Sequence, residues 1–287
     1  MKIGFTADSS SGLGFAPFSH HVKITKTQIH FKDETLVDGV DITPDEFYLR
    51  LEKDPSVPTT TAPSIGEVTT QIDALIAEGC THIIHFPIST ELSAYGKNLE
   101  NIIRPMYPDI DFRVCDTRSA TLLQGLMVRY AERLAQKGYG VDEIIEKTKA
   151  YRQRCNAYFI VDDLKYLIKN GRLSQLSGTI GILAKIKPIL CLTKEGKIVT
   201  HEKVRTHQKA VERMKELILA ETKDAKKVTY VILHTNRFDD AIKLRDEVIQ
   251  TRNNVYEMMV STITPTVGAH IGSKIIGMGY IIEDEEL

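Results

Sequence analysis

Short apolar runs alternate with helical patterns through the first half of the chain, and this order constrains the fold more than any other feature. Strand-like runs cover residues 81–88 and 112–115, while helical periodicity covers 64–79 and a longer segment that ends near Gly138. Such alternation is typical of βαβ units built on a mainly parallel sheet. Ligands of such sheets bind beyond the carboxyl ends of the strands, so the loops that follow strands are where functional residues are expected.

The order of predicted strands and helices changes near residue 156. A strand is predicted at 157–161, a hairpin at 188–203 around a Gly-containing loop, and further strands at 228–233 and 255–260 with a helix between them. We therefore predict an α/β fold with two domains. A Rossmann-like, mainly parallel domain would cover residues 1–155, and an α+β domain would cover residues 156–287.

Charge and cysteine content narrow the class of protein. The chain has 37 basic and 38 acidic residues and no dense Lys/Arg cluster, which disfavours a nucleic-acid binder. No segment approaches the roughly 20 apolar residues of a membrane helix, and the N-terminus lacks the pattern of a signal peptide. Its four widely spaced cysteines are expected to be buried, reduced thiols in a cytoplasmic protein: Cys80, Cys115, Cys155 and Cys191.

Signatures of common enzymes are missing from the sequence. It contains no G-x-S-x-G elbow, no phosphate loop of the GxxxxGK[ST] type, no strand-led GxGxxG and no HExxH. His82 and His85 lie three apart on a predicted strand, so they face opposite sides and do not form a metal site together. We expect no metal, no resident cofactor and no catalytic site.

Hydroxyl-bearing residues instead crowd the ends of the predicted strands. Three loops carry them: Asp8–Ser11, Thr59–Ser64 and Ser89–Ser93. Serine and threonine there can donate hydrogen bonds to an oxyanion without reacting with it. This pattern favours a binding protein over an enzyme.

Each of these residues also has a simpler structural interpretation. Ser93 fits the N-cap of the helix that follows, Thr61 lies in a proline-bounded loop, and Asp8, Ser9 and Ser10 form either a turn or the floor of a pocket. Arg172 follows a glycine that is expected to end a helix, which places it on a surface loop. The apolar run 180–186 is core or the wall of a slot for an alkyl chain.

Taken together, the motifs resemble the DegV family of fatty-acid-binding proteins, the acyl-carrying subunits of bacterial fatty acid kinase. The resemblance spans nearly the whole chain and rests on these segments: Thr6–Ser10, Pro58–Ser64, Ile88–Ser93, Asp116–Thr117, Leu167–Ser174, Ile186–Leu190 and Val267–His270. Two stretches depart from the family pattern: Ala94–Tyr95 stands where the family has Gly-Thr, and Ile271–Lys274 differs from the family's residues after the histidine.

The resemblance implies a long-chain fatty acid buried between the two domains. Thr61 and Ser93 would hold its carboxyl group, with His270 nearby, and Arg172 would couple the protein to a partner kinase that phosphorylates the acid. In this interpretation the chain itself catalyses nothing. Two alternatives remain open: an acyl hydrolase or transferase with Ser93 as nucleophile and His270 as base, and a DNA-interacting regulator, which the balanced charge disfavours.

Overall fold

The computed structural model describes residues 2–54, 56–173 and 186–283. Its strands are β1 (Ile3–Asp8), β2 (Lys23–Thr25), β3 (Gln28–Phe31), β4 (Glu34–Val37), β5 (Thr59–Thr61), β6 (His82–Phe86), β7 (Asp111–Val114), β8 (Cys155–Ile160), β9 (Lys187–Leu192), β10 (Ile198–Val204), β11 (Val228–His234), β12 (Val255–Thr262) and β13 (Ile276–Ile282). Its α-helices are α1 (Pro44–Lys53), α2 (Ile65–Ala77), α3 (Leu99–Ile103), α4 (Thr121–Gln136), α5 (Val141–Gln153), α6 (Lys165–Lys169), α7 (His207–Glu221), α8 (Phe238–Thr251) and α9 (Pro265–Ile271).

The first sheet is parallel throughout, as the βαβ pattern predicts. Its strand order is β2-β1-β6-β7, and every recorded pairing in it is parallel. Ser64 caps α2 by accepting a hydrogen bond from the backbone N–H of Glu67, and Gly79 ends the helix with a φ of +87°. The carboxyl ends of β1, β6 and β7 therefore bring the loops after Asp8, Phe86 and Val114 to one edge of the sheet.

The second sheet has six strands in the order β10-β9-β8-β13-β11-β12, antiparallel except for the β11–β12 pair. Helices α7 and α8 cover its outer face. Helix α4 lies against its inner face, and one continuous apolar core joins the first sheet, α4 and that inner face. The predicted fold class is thus confirmed. The domain boundary near residue 155 remains a prediction.

The structure contains a third sheet, of three strands, that the sequence did not predict. Strands β4, β3 and β5 pair antiparallel in that order, and α1 and α9 pack on one face of the sheet. The segment Thr59–Thr61 was expected to be a loop, because three threonines between prolines give no apolar alternation. It is the edge strand of this sheet, and that difference decides which threonine reaches the interior.

The structure shows all four cysteines as free thiols, with Cys80, Cys115 and Cys155 buried and Cys191 half-buried. Within the described ranges, no helix is long and apolar enough to cross a membrane. The apolar run interpreted as core or alkyl wall falls, apart from Ile186, outside the described residues.

Candidate functional site

A cavity lies between the first sheet and the inner face of the second. Its walls come from the strand-end loops of β1 and β6, from β5, from the start of α4, from α9 and from the second sheet. Most of the lining is apolar, and the polar members gather on the side of the loops and α9. The polar lining consists of Asp8, Ser10, Thr27, Thr60, Ser93, Thr121, Arg172, Thr266 and His270. Tyr95 and Tyr158 also border the cavity, but the Tyr158 ring packs on the outer face of the second sheet, where its hydroxyl donates to Glu221.

Thr60, and not Thr61, faces this cavity. On β5, Thr60 pairs with Ile29, whose side chain is fully buried, whereas Thr61 pairs with the exposed Gln28. Paired residues share a face and successive residues alternate, so Thr61 points to the outside of the sheet. There its hydroxyl lies 2.7 Å from Nε2 of His30. The placement expected for Thr61 is therefore corrected by one residue.

Thr60 and His270 form a hydrogen-bonded pair on the cavity wall. Their Oγ1 and Nε2 atoms are 2.8 Å apart, and burial together with the charge of Arg172 lowers the pKa of His270 to about 4. The neutral imidazole has one N–H and the threonine hydroxyl has one O–H, and the hydrogen bond between them uses one of these two hydrogens. One donor is left over in either tautomer, and Nδ1 of His270 is buried without a partner among the described residues. The pair can therefore serve an incoming acceptor.

Helix α9, which carries His270, is fixed from two sides. Asp38, at the end of β4, accepts hydrogen bonds from both the backbone N–H and the hydroxyl of Thr266 in the first turn of α9. Burial raises the pKa of Asp38. Gly268 lies so close to the Tyr48 ring that a Cβ there would be 2.8 Å from Cε1 of that ring. These contacts hold the position of the imidazole.

Arg172 lies in the cavity wall and not on a surface loop. Gly171 does end α6, with a φ of +71°, as the sequence predicts. The half-buried arginine then turns inward: its Nε donates to the carbonyl oxygen of Leu92 at 3.2 Å, and its Nη1 donates to Asn170. It is the positive charge that helps to lower the pKa of His270. The predicted role of Arg172 in partner coupling remains a prediction.

Ser93 has the capping role that its position suggests, and it also lines the cavity. Its hydroxyl accepts a hydrogen bond from the backbone N–H of Tyr95 at 3.3 Å, at the start of a 3-10 turn over Ala94–Lys97. Tyr95, which together with Ala94 differs from the family pattern, lines the cavity as well. Its ring lies edge-on to the His85 ring, with ring centroids 5.5 Å apart. The Tyr95 ring packs on the apolar cluster of α2, α3 and β7, next to the wall beside Ser93.

The loop after β1 supplies the other polar side of the cavity. Asp8 and Ser10 line it, and both are almost fully buried. Ser9 is turned away: its hydroxyl lies 3.0 Å from that of Thr266 and connects this loop to α9. Asp8 accepts the hydrogen bond of a turn from the Ser10 N–H and also lines the cavity, and the role of this loop as the floor of a binding pocket stays a prediction.

Two contacts that other chemistries need are not formed by these residues. The structure pairs His270 with Thr60 and Ser93 with a backbone N–H, so the described contacts contain no Ser93–His270 hydrogen bond. No group of three or more His, Cys, Asp or Glu side chains within the described ranges could hold a metal ion.

Sequence reasoning missed several polar residues in the cavity wall or behind it, and some had a readable signal. Gln124 is fully buried within Leu122–Leu126, where an amide in an apolar helical run indicates a buried polar contact. Thr60 would have followed from treating Thr59–Thr61 as a strand. Asp38 and Thr266 had no signal, because they meet across 228 residues of sequence.

The family assignment follows from comparison with known proteins. The model of the DegV family, described as uncharacterised proteins, matches residues 2–283. The chain belongs to the DegV family. Two DegV domain-containing relatives are similar over nearly their whole length. One from Clostridium acetobutylicum is 32% identical over 278 residues, covering 96% of this chain and 98% of the relative. One from Staphylococcus aureus is 31% identical over 284 residues, covering 98% of each chain.

Solved structures of DegV proteins share the fold. A fatty acid binding DegV family protein from Streptococcus agalactiae has a TM-score of 0.89 at 28% identity, covering 99% of this chain and 100% of the other. DegV from Bacillus subtilis, described as a fatty acid binding protein, has a TM-score of 0.88 at 27% identity with the same coverage. The resemblance drawn from the sequence motifs is thereby confirmed at the level of family and fold.

Proposed function

We propose that this DegV protein binds a long-chain fatty acid in the cavity between its two sheets and presents the carboxyl group to a partner kinase. The observation that carries the proposal is the Thr60–His270 pair, which leaves one uncommitted donor on the wall of a largely apolar cavity. The fatty-acid-binding DegV proteins of similar fold support the choice of ligand.

The apolar part of the cavity suits an alkyl chain. Side chains from α4, α9 and the inner face of the second sheet surround the space, among them Leu123, Leu233 and Val267. Each methylene removed from water contributes about 0.8 kcal/mol. A chain of many methylenes therefore supplies most of the binding free energy, and the polar wall determines which end of the molecule is held there.

Burying the carboxylate is unfavourable unless donors surround it. Thr60 or His270 supplies one donor, and the Ser93 hydroxyl supplies another because it only accepts from the Tyr95 N–H. Arg172 adds a positive charge in the same wall. We assign the head group to these four residues, with Thr60 in the place where the motif predicted Thr61.

An experiment with two lipids tests the ligand and its orientation. The protein is purified, examined by native mass spectrometry, delipidated and then melted with palmitate or with methyl palmitate. Bound lipid is expected in the purified protein, and palmitate is expected to raise the melting temperature because it binds only the folded state. Methyl palmitate lacks the charge and should stabilise less. A lipid-free protein that palmitate does not stabilise would overturn the proposal.

The kinase step is tested separately at saturating fatty acid, where differences in affinity no longer matter. Arg172→Ala is expected to reduce acyl-phosphate formation by a fatty acid kinase catalytic subunit, because a guanidinium suits a transferring phosphoryl group. Lys169→Ala removes an exposed positive charge three residues earlier and serves as the control. Equal rates for both variants would remove Arg172 from the coupling role.

A further inference from the structure

Asp8 is an unusual wall residue for a site that takes an anion. It is the last residue of β1, it is 2% exposed, and it lines the same cavity as Ser93 and His270. Oδ2 accepts a hydrogen bond of 2.7 Å from the backbone N–H of Ile88, and Oδ1 accepts one of 3.0 Å from that of Ser10. Two side chains complete its surroundings: the hydroxyl of Ser10 and the amide of Gln124.

The orientation of Gln124 fixes the hydrogens in this group. Its Nε2 lies 3.1 Å from the carbonyl oxygen of Phe86, which only accepts hydrogen bonds, so the amide nitrogen must face that oxygen. Its Oε1 therefore faces the Ser10 hydroxyl, at 2.9 Å, and the hydroxyl must donate to it. Ser10 has only one hydroxyl hydrogen, and this contact uses it.

The remaining contact, between the Ser10 hydroxyl and Oδ1 of Asp8, then needs a hydrogen from Asp8. A carboxylic acid supplies it: Oδ1–H donates to the Ser10 hydroxyl, and Oδ2 accepts from the Ile88 N–H. Oδ1 also accepts from the Ser10 N–H and, at 3.4 Å, from Nε2 of Gln124. An ionised Asp8 would leave one of the two Ser10 contacts as two oxygens facing each other without a hydrogen.

We propose that Asp8 is a neutral carboxylic acid in the folded protein, and that its neutrality is what allows the cavity to accept an anionic head group. The second part rests on the proposed function, whereas the protonation state of Asp8 does not.

The surroundings of Asp8 agree with a neutral side chain. Within the described residues, no hydrogen bond or ion pair joins it to a Lys, Arg or His from β1, from the loop after β6 or from α4. Tyr95 is a titratable group close enough to be influenced by Asp8, and a charged Asp8 would further disfavour ionisation of that phenol. Burial raises the pKa of Asp8 despite the hydrogen bonds that oppose the shift.

The consequence for specificity follows from electrostatics. Two negative charges in one water-poor cavity repel strongly, because little solvent screens them. With Asp8 neutral, Arg172 provides the charge in the described cavity wall that a fatty acid carboxylate meets. An ionised Asp8 would instead favour lipids with a neutral or cationic head group.

Infrared difference spectroscopy of the ligand-free protein at pH 7 tests the protonation state. The difference spectrum of wild type minus Asp8→Asn is expected to show the C=O stretch of a protonated carboxyl. Asp116→Asn, in the loop after β7, should keep that band. Ser10→Ala should shift the band without abolishing it, because it removes the acceptor of the acid O–H. Carboxylate bands in the Asp8 difference spectrum would overturn the proposal. An asparagine Nδ2 can donate to the Ser10 hydroxyl but cannot accept from the Ser10 N–H, so the Ser10→Ala difference spectrum decides the question if Asp8→Asn does not fold. A shifted band of a protonated carboxyl then supports the proposal, and shifted carboxylate bands overturn it.

Proton counting by calorimetry tests the link to the ligand. Palmitate is titrated into each protein in two buffers of different ionisation enthalpy, which gives the number of protons taken up on binding. Wild type and Asp8→Asn should take up the same number if Asp8 already carries its proton. An uptake larger by one in wild type would show that Asp8 is ionised before binding. If palmitate binds neither protein, the proposed function fails while the infrared result stands by itself.

Discussion

The face of a strand on which a residue lies decides whether its side chain reaches the cavity. Thr60 and Thr61 are adjacent and chemically identical, yet one meets His270 in the cavity and the other meets His30 outside. A matched pair of substitutions therefore separates a role in binding from a role in the sheet.

Thr60→Ala is expected to weaken palmitate binding by about 1 to 3 kcal/mol, since a buried charged acceptor loses a donor, and Thr61→Ala by less than about 0.5 kcal/mol. Both remove the same atoms from the same edge strand, so their effects on unfolding should be similar. Isothermal titration with palmitate measures the difference. A larger loss of palmitate affinity for Thr61→Ala than for Thr60→Ala would indicate that the head group binds at the outer face of β5.

The sequence indicated the residue types of the site better than their positions. Ser93 and His270 both line the cavity. The capping pattern predicts where Ser93 lies, whereas His270 was indicated only by the family resemblance, and the part of each in binding stays a prediction. Thr61 was misplaced by one residue, because a threonine run has no apolar residue to show which side of a strand is buried. Arg172 was placed on the surface because local signals do not show that the chain turns back to Leu92.

Among the elements, the β9–β10 hairpin shows how the two halves of the cavity are joined. Leu192 and Ile198, which flank its tip, line the cavity, and the Ser89 hydroxyl donates to the carbonyl of Gly196 in the tip at 2.9 Å. Arg152, which is 4% exposed, donates to Thr193 in the tip and to Arg118 beyond β7. Hydrogen bonds thus fasten the tip to the loops of the first sheet.

Gly196→Ala is expected to lower both the free energy of unfolding and palmitate affinity. Gly196 has a φ of +92°, and a Cβ would collide with the Ser89 hydroxyl and lie 3.0 Å from Cα of Arg118. Gly138 has a φ of +88° with open space around it, so Gly138→Ala carries only the backbone strain of about 1 to 3 kcal/mol. Urea unfolding should show a larger loss in the free energy of unfolding for Gly196→Ala than for Gly138→Ala. Equal losses, with affinity unchanged, would mean that the tip contact is unimportant.

Elements with a strong local signal could be predicted from the sequence. The hairpin follows from a Gly-containing loop between two apolar runs, and α2 follows from its cap and its glycine stop. The sheet formed by β3, β4 and β5 could not be predicted, since its strands have three or four residues and are stabilised by α1 and α9 from distant parts of the chain. Pairing at such a distance depends on tertiary packing and not on local propensity.

The molecule as a whole is held by a core that runs from the first sheet through α4 to the second. The order of strands and helices predicted this class of fold, because apolar periodicity is a local property. The cavity within the core could not be placed in the same way. It depends on how α4, α9 and the two sheets meet, which no single segment encodes.

The stability of the whole chain should fall in mild acid because of a buried histidine. Burial lowers the pKa of His85 from 6.5 to about 3. Below pH 6.5 the unfolded chain therefore takes up a proton that the folded protein does not, and the free energy of unfolding drops by about 2 kcal/mol between pH 7 and pH 5. Between pH 7 and pH 5 the free energy of unfolding of His85→Gln should fall by about 2 kcal/mol less than that of wild type, as measured by urea unfolding at each pH.

His82→Gln, a half-exposed histidine on the same strand, controls for the replacement itself. The buried carboxyls of Asp8 and Asp38 have raised pKa values and act in the opposite direction, but they are present in every protein compared. An acid dependence unchanged by His85→Gln would show that the imidazole is not the group responsible.

The cavity also determines how the protein responds to compression. Pressure favours the state of smaller volume, and unfolding eliminates the voids that a folded protein encloses. The cavity between α4, α9 and the second sheet is internal space of this kind, and an acyl chain would occupy it. The volume decrease on unfolding should therefore be larger for the delipidated protein, so that hydrostatic pressure unfolds it in a range where the lipid-bound form stays native.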